Sequence, residues 1–154
     1  MNLRIIQIGK TREPWIKAGV EEYLKRLQPF IKLEVLELSD TSLKIAGTPE
    51  AVKAKEAALI LSKLEPEDYV ILLDERGLDK TSLEFSGFLT NISDRKRVVF
   101  VIGGVYGTDP CLRKRADLML RLSSMTFTHQ MARLVLVEQI YRAMMISSGR
   151  SYHY

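Results

Sequence analysis

Two short apolar runs place the strongest limit on how this chain of 154 residues can fold. They are YVILL at residues 69–73 and VVFVI at residues 98–102. Apolar runs of this length without polar alternation are typical of strands that helices cover on both faces, as in parallel sheets. Further strand-like stretches at residues 3–8, 32–38 and 118–122 bring the predicted number of strands to five.

Helical patterns separate these strands, and each carries a start or stop signal of its own. This alternation predicts an α/β fold with a mostly parallel sheet and helices on both faces, in a single domain that spans residues 1–154. The signals are Pro14, Pro49 and Asp109-Pro110 at three helix starts, Ser82 as the cap of a helix over residues 82–91, and Gly149 after a last helix over residues 130–148. Residues 39–48 are predicted to form a surface loop.

The composition limits the environment and the partners of the chain. It has 46% hydrophobic and 27% charged residues and a formal net charge of +4, a balance that permits an anionic partner without requiring one. Cys111 is the only cysteine, so no internal disulfide can form, as is usual in a reducing cytosol. The apolar run near the N-terminus is too short for a signal peptide or a membrane span. We therefore expect a cytoplasmic protein with no membrane partner.

Three of the predicted strands are each followed by a segment suited to ligand binding. The segments are DERG at residues 74–77, GGVYG at residues 103–107 and SSMTFTH at residues 123–129. The carboxyl ends of parallel strands lie at one edge of a sheet, and ligands of open α/β folds bind outside that edge. The sequence therefore predicts that these three segments meet in one site.

The chemistry of these segments narrows the class of ligand. The glycines let a ligand approach the backbone, although they also suit a tight turn. Their GGxxG spacing differs from the dinucleotide fingerprint GxGxxG, and no Walker-type phosphate loop or metal-ligand spacing occurs. An adenine-containing ligand without phosphates fits better. Its slot would be lined by Leu73, Leu122, Met125 and Phe127, unless these are core residues.

Three longer motifs carry a resemblance to a known family. VIGGVYG at residues 101–107, SSMTFTHQMARLVLVEQIYRA at residues 123–143 and the terminal YHY closely resemble the ribosomal RNA large subunit methyltransferase H family of the SPOUT class. The resemblance covers essentially the whole chain. Many members carry proline where this chain has Thr128, a departure that concerns loop geometry more than chemistry.

The resemblance implies a specific reaction and partner. It implies metal-free, S-adenosylmethionine-dependent methylation of the N3 atom of a pseudouridine in 23S rRNA, on the large subunit or the whole ribosome. It further implies a homodimer and a C-terminal trefoil knot around the cofactor. Knots are so rare in proteins that the pattern of strands and helices alone would not predict one. The cofactor residues carried over by the resemblance are Leu73, Gly103, Leu122, Ser123, Ser124, Met125, Thr126 and Phe127.

Four residues are candidates for catalysis. His129 falls at the start of the last helix, where the helix dipole disfavours a protonated imidazole, so it could accept a proton or simply make a structural hydrogen bond. Arg142 is a candidate for stabilising an anion or facing RNA, although with Glu138 it also forms an ordinary (i, i+4) pair. Tyr152 and His153 are predicted to cover the target base, either in their own chain or from the neighbouring subunit, because aromatic side chains stack on extruded bases.

Two other functions stay open on the sequence alone. A nucleotide-dependent oxidoreductase of α/β fold would share the sheet, although the dinucleotide fingerprint is missing. A non-catalytic, RNA-binding ribosome assembly factor would share the whole fold. Binding of S-adenosylmethionine distinguishes the methyltransferase from both.

Overall fold

The structure is a computed structural model that describes residues 1–154. Its centre is one sheet with the strand order β2-β1-β4-β3-β5, in which every neighbouring pair is parallel. In chain order the elements are β1 (Asn2–Ile8), α1 (Pro14–Leu27), β2 (Lys32–Leu38), α2 (Leu43–Ala46), α3 (Pro49–Leu61), β3 (Tyr69–Leu78), α4 (Ser82–Asn91), β4 (Val98–Ile102), α5 (Pro110–Arg115), β5 (Leu118–Leu120) and α6 (His129–Ser147). The predicted α/β fold is confirmed.

Helices cover both faces of the sheet, so the molecule has two cores. In β1, Leu3 and Ile5 point to a larger core of 18 buried residues that α1, α4 and α6 complete. Ile6 and Ile8 point to the other side, where a smaller core of 10 buried residues involves α3 and α5. Every residue of β4 is buried, because this strand lies at the centre between the two layers. This position explains its uninterrupted apolar run.

The strand order reverses between the neighbouring strands β1 and β4: the chain passes from β1 to β2 on one side, and from β4 to β5 on the other. The helix after β1 packs on the larger core, whereas the helix after β4 packs on the smaller one. The connections leave the two strands toward opposite faces, which opens a crevice at their carboxyl ends. Such switch points are where open α/β sheets bind ligands.

Most of the predicted helix ends are confirmed, with one cap displaced. Asp109 caps α5, and Gly149 follows α6 with φ +70°. The cap of α4 is Thr81 rather than Ser82. Thr81 accepts from the Glu84 N–H and the Glu84 carboxylate accepts from the Thr81 N–H, a reciprocal arrangement that Ser82 cannot make. Ser82 is the first helical residue instead.

Three predicted boundaries were wrong. Residues 74–77 belong to β3, which continues past an irregularity and pairs Leu78 with Leu120. The continuation requires Gly77, because a Cβ there would lie 2.7 Å from the backbone of Leu120. The last strand, β5, has only three residues, and α2 forms a single turn inside the predicted loop at residues 39–48. No helix of the chain combines the length and the apolar character needed to cross a membrane.

Candidate functional site

The carboxyl ends of β3, β4 and β5 open onto a cleft of about 1170 Å³, and the start of α6 closes one side of it. All three predicted segments contribute to its wall, so the prediction that they meet is confirmed. Seven of the eight residues carried over as cofactor ligands line the cleft, namely Leu73, Gly103, Leu122, Ser123, Met125, Thr126 and Phe127. Ser124, the eighth, lies in the same segment but does not line the cleft.

A buried carboxylate fixes the geometry between two of the segments. The Asp74 side chain is 6% exposed and accepts hydrogen bonds from the Arg76 N–H and the Thr108 hydroxyl, both at 2.9 Å. Burial alone would raise the pKa of Asp74, but the bonds from Arg76 and Thr108 outweigh it and hold the pKa below its usual range. The ionised side chain therefore ties the continuation of β3 to the glycine segment after β4.

Gly103 is required by the tight turn, which is one of the two explanations that the sequence left open for these glycines. The other explanation was that a side chain there would collide with the ligand. In the structure, a Cβ at residue 103 would lie 2.9 Å from the Thr108 methyl carbon and 3.0 Å from the Gly107 carbonyl oxygen. The glycine is therefore needed for the loop to close on itself.

Residues 122–127 form the wall that is best suited to recognise a heterocycle. Among the backbone amides of this segment, only the Met125 N–H donates to a protein acceptor, the Ser123 hydroxyl at 3.0 Å. The Thr126 hydroxyl donates to the Glu75 carboxylate at 3.4 Å. The other amides point to no protein acceptor and are free for a ligand. Met125 is 78% exposed and Phe127 is 39% exposed, which excludes the alternative that these two are core residues. Leu73 and Leu122, by contrast, pack partly against the larger core.

His129 lies at the start of α6, as predicted, with Thr128 as the N-cap that accepts from the Met131 N–H. Its pKa is lowered by burial first, and then by the positive charges of Arg133 and Arg12. The imidazole is therefore neutral at pH 7. It lines the cleft, so it is placed to accept a proton from a group bound there.

Gln130 holds the start of α6 against the loop that follows β1. Its carbonyl oxygen accepts from the Arg12 N–H at 2.9 Å, and its amide donates to the Lys10 carbonyl at 3.1 Å. The same amide lies 3.3 Å from the His129 ring. These contacts orient His129 at the border between the cleft and the loop after β1. Sequence reasoning did not single out Gln130.

The other three catalytic candidates form a polar and aromatic cluster near the C-terminal end of α6. Arg142 pairs with Glu138 at 2.8 Å, donates to His153 Nδ1 at 3.1 Å and lies over the Tyr152 ring. Tyr152 donates to Glu138 and contacts the Tyr23 hydroxyl, both at 3.2 Å. Burial raises the pKa of Tyr152 strongly, and its bond to Tyr23 and the charge of Glu138 add to the effect. The phenol is neutral at every physiological pH.

This cluster does not line the cleft of its own chain. Arg142 follows His129 by 13 helical residues, which at 1.5 Å per residue corresponds to roughly 20 Å along the axis of α6. The structure therefore brings His129 together with the predicted cofactor residues and holds Arg142, Tyr152 and His153 apart from them.

Sequence reasoning also missed a second, smaller cavity of about 100 Å³ beside the cleft. Its wall contains Glu56, a carboxylate that is only 5% exposed. A signal was available, because Glu56 lies four residues from both Val52 and Ile60, on the buried stripe of α3. A charged residue inside such a stripe is unusual unless something pairs with it. Trp15 and Tyr106 were missed as well, although both line the large cleft with much of their rings exposed.

Comparison with known proteins covers the full length of the chain. Residues 1–153 match the family described as "Predicted SPOUT methyltransferase". Proteins named Ribosomal RNA large subunit methyltransferase H are 45% identical in Dictyoglomus thermophilum, 44% in Trichlorobacter lovleyi and 43% in Geobacter sulfurreducens. Each of these alignments covers 100% of both proteins.

A solved structure also shares the fold. The crystal structure of tRNA (m1G37) methyltransferase from Aquifex aeolicus superposes with a TM-score of 0.54. The match covers 92% of this chain and 70% of that one, at 14% sequence identity. Similarity at that level of identity establishes the architecture alone.

Proposed function

We propose, because this chain belongs to the SPOUT methyltransferase family, that it transfers the methyl group of S-adenosylmethionine to the N3 atom of a pseudouridine in 23S rRNA. The observation that carries the proposal is the cleft at the ends of β3, β4 and β5, which seven of the eight expected cofactor residues line. The full-length identity to proteins named as ribosomal RNA methyltransferases supports rRNA as the substrate class.

The cleft fits S-adenosylmethionine in size and chemistry. Its volume of about 1170 Å³ exceeds the usual range of ligand pockets, which leaves room beside the cofactor for the reacting N3 edge of an acceptor base. The unpaired amides of residues 122–127 would bind the adenine edge, while Leu73 and Leu122 would contact its faces. When bound, the cofactor supplies an electrophilic methyl carbon on a sulfonium, which requires no metal.

In this proposal His129 removes a proton from the base, and the cluster of Arg142, Tyr152 and His153 binds the base. The N3 of pseudouridine is a weakly acidic imide, and neutral His129 accepts its proton. A cofactor held by residues 122–127 would supply its methyl carbon to the deprotonated N3, and its sulfur would keep the electron pair of the carbon–sulfur bond. Arg142 stabilises the negative charge on the base, and Tyr152 and His153 stack on it to hold it in line.

In this proposal the chain acts as a homodimer, because Arg142 lies roughly 20 Å along α6 from His129. A second copy contributes Arg142, Tyr152 and His153 to the cleft, and by symmetry each copy completes the site of the other. The substrate is the large subunit or the whole ribosome in the cytoplasm, since a protomer with a net charge of +4 lacks the charge to bind naked RNA tightly. Efficient transfer to a short isolated stem-loop would contradict this last point.

Two measurements test the proposed function. Mass spectrometry of 23S rRNA from cells with and without the gene should show one methylated pseudouridine only when the gene is present. Calorimetric titration of the pure protein with S-adenosylmethionine should give saturable heat. A non-catalytic assembly factor would bind rRNA with no heat from the cofactor, and an oxidoreductase would prefer a dinucleotide, so either result would replace the proposal.

A further inference from the structure

The smaller cavity lies at the crevice between β1 and β4, where the strand order reverses. Its wall comes from the loops after β1 and β2, from α3 and from the glycine segment after β4. It adjoins the large cleft, since both are lined by Gly104, Val105, Tyr106, His129 and Gln130. A group in the smaller cavity would therefore lie next to the methyl donor, at the edge that the two cavities share.

Glu56 is the unexplained group in this cavity. One of its carboxylate oxygens, Oε1, is buried and accepts no hydrogen bond. The other has only the Thr41 N–H, at 3.5 Å, the outer limit of a hydrogen bond. Arg12 lines the same cavity but contacts Asp40 instead. A buried acceptor without a donor lowers stability, so such a group usually serves a ligand.

The neighbouring glycine segment is shaped around this carboxylate. A Cβ at Gly104 would lie 2.7 Å from Glu56 Oε1, so the absence of a side chain lets the carboxylate lie directly against the wall between the two cavities. The two glycines after β4 are thus needed for different structural reasons. Gly103 lets the loop close, and Gly104 makes room for Glu56.

We propose that the smaller cavity receives the pseudouridine ring and that Glu56 accepts a hydrogen bond from its N1–H. This inference rests on the proposed function and names the residue that selects the substrate. Pseudouridine is attached to ribose through C5, so its ring carries an N1–H that uridine lacks. A carboxylate without a donor is complementary to that one additional donor.

The ring geometry suits two adjoining sites. C2 lies opposite C5, the atom bonded to ribose, so a ring that enters the cavity leads with the C2 carbonyl, and N1 and N3 flank it. With N1 directed to Glu56, N3 is directed to the other side of the carbonyl, toward His129 and the large cleft. A cavity of about 100 Å³ is smaller than the apolar cavity of about 150 Å³ that holds benzene, so it would receive the leading edge of the ring, with the C2 carbonyl and N1, and leave the N3 edge in the large cleft.

The test compares two substrates that differ only in that N–H. Ribosomes from cells that lack the relevant pseudouridine synthase carry uridine at the target position. Ribosomes from cells that have the synthase but lack the gene for this protein carry unmethylated pseudouridine there. Transfer from labelled S-adenosylmethionine gives kcat/KM for each. We expect the wild-type protein to prefer pseudouridine about 10- to 100-fold, and Glu56→Ala to lose most of that preference through a fall in kcat/KM on pseudouridine.

Glu56→Gln provides a second variant that keeps the volume of the side chain and one acceptor oxygen. It should retain part of the preference, about 3- to 10-fold. Glu50→Gln, an exposed position on the same helix, is the matched control and should leave the preference unchanged. Cofactor binding by calorimetry reports whether each variant is folded.

The outcomes separate the two proposals. Equal losses on both substrates in the Glu56 variants would show a structural role and overturn the inference, as would a wild-type protein that does not distinguish the substrates. If the wild-type protein methylates neither ribosome, the proposed function itself fails and the inference fails with it.

Discussion

The regions around the two ends of α6 differ in how completely their polar groups are hydrogen-bonded within the chain. At the N-terminal end, the backbone amides of residues 122–127 are largely unpaired, apolar side chains are exposed and Glu56 lacks a donor. At the C-terminal end, Glu138, Arg142 and Tyr152 form a closed network of hydrogen bonds and ring contacts. The first end has the properties of a binding site, whereas the second is already organised without a ligand.

This difference explains why a single chain carries two halves of the proposed site. A group that must hold a base rigidly benefits from being preorganised by its own neighbours, as the C-terminal cluster is. A pocket that must bind a cofactor needs groups without internal partners. One α-helix cannot place both at the same point; in the proposed homodimer, a second copy related by symmetry would bring them together.

The largest effect is expected when the C-terminal cluster is removed and the cleft is left intact, which tests whether the two ends of α6 have different functions. Deletion of residues 151–154 should reduce methyl transfer at least ~100-fold, because Tyr152 and His153 no longer hold the base. The dissociation constant for S-adenosylmethionine, measured by calorimetry, should stay unchanged. Tyr154→Ala, at a fully exposed side chain, is the control and should keep full activity. An active truncated protein would show that the cluster has no part in the reaction.

Mixing two inactive variants tests whether the halves belong to different chains. His129→Ala and Arg142→Ala should each lose most of their activity, about 100-fold. After exchange of subunits, half of the dimers contain one chain of each kind and have one intact site of two. The mixture should therefore regain roughly a quarter of the wild-type activity. If both residues acted within one chain, no activity would return.

The sequence predicted the framework well because burial leaves a direct pattern. The runs at residues 69–73 and 98–102 lie in strands covered on both faces, and no other environment suits them as well. The convergence of the three segments followed from the parallel arrangement, and His129 was found at the start of its helix. The family resemblance supplied the reaction, the dimer and the trefoil knot. The dimer and the knot stay predictions implied by the family.

What the sequence could not give depends on contacts between distant residues. The continuation of β3 depends on the fit of Gly77 against Leu120, and the choice of Thr81 over Ser82 depends on which residue Glu84 can reach. The reason for Gly103 appears only when Thr108 is seen to pack against it. Glu56 had a local signal, but its missing donor is a property of the folded chain.

A paired substitution in the glycine segment tests whether contact with Thr108 is the reason that residue 103 must be glycine. Gly103→Ala should lower the free energy of unfolding by about 1–3 kcal/mol, because the new Cβ collides with the Thr108 methyl group. In the double variant with Thr108→Ser, that methyl group is absent while the hydroxyl can still bond to Asp74, so part of the loss should be recovered. Urea denaturation measures both effects.

Calorimetric titration of the same variants with S-adenosylmethionine separates strain within the loop from a direct collision with the ligand. If the double variant regains its stability but still binds no S-adenosylmethionine, the Cβ at residue 103 also meets the cofactor. A single variant that is as stable as the wild-type protein would contradict the loop-closure explanation.

The smallest expected effect tests whether the N-terminal end really leaves a carboxylate unsatisfied. Burial raises the pKa of Glu56; the Thr41 N–H partly opposes the shift, and the charge of Asp40 adds to it. Lys10, Arg12 and His129 line the same cavity. A carboxyl whose pKa is raised by folding is most favourable when protonated, so its contribution to stability is lost as the pH rises through its folded pKa.

Glu56→Gln leaves this position uncharged at every pH, and the variant should therefore be more stable than the wild-type protein at pH 7, by about 1 kcal/mol. The advantage should disappear near pH 4, below the unfolded pKa, where both side chains are neutral. Urea denaturation at the two pH values measures the difference, with Glu50→Gln as the exposed control. If Glu56→Gln instead lowers stability at pH 7, the carboxylate is satisfied within the fold, and the proposed acceptor for the N1–H is already occupied.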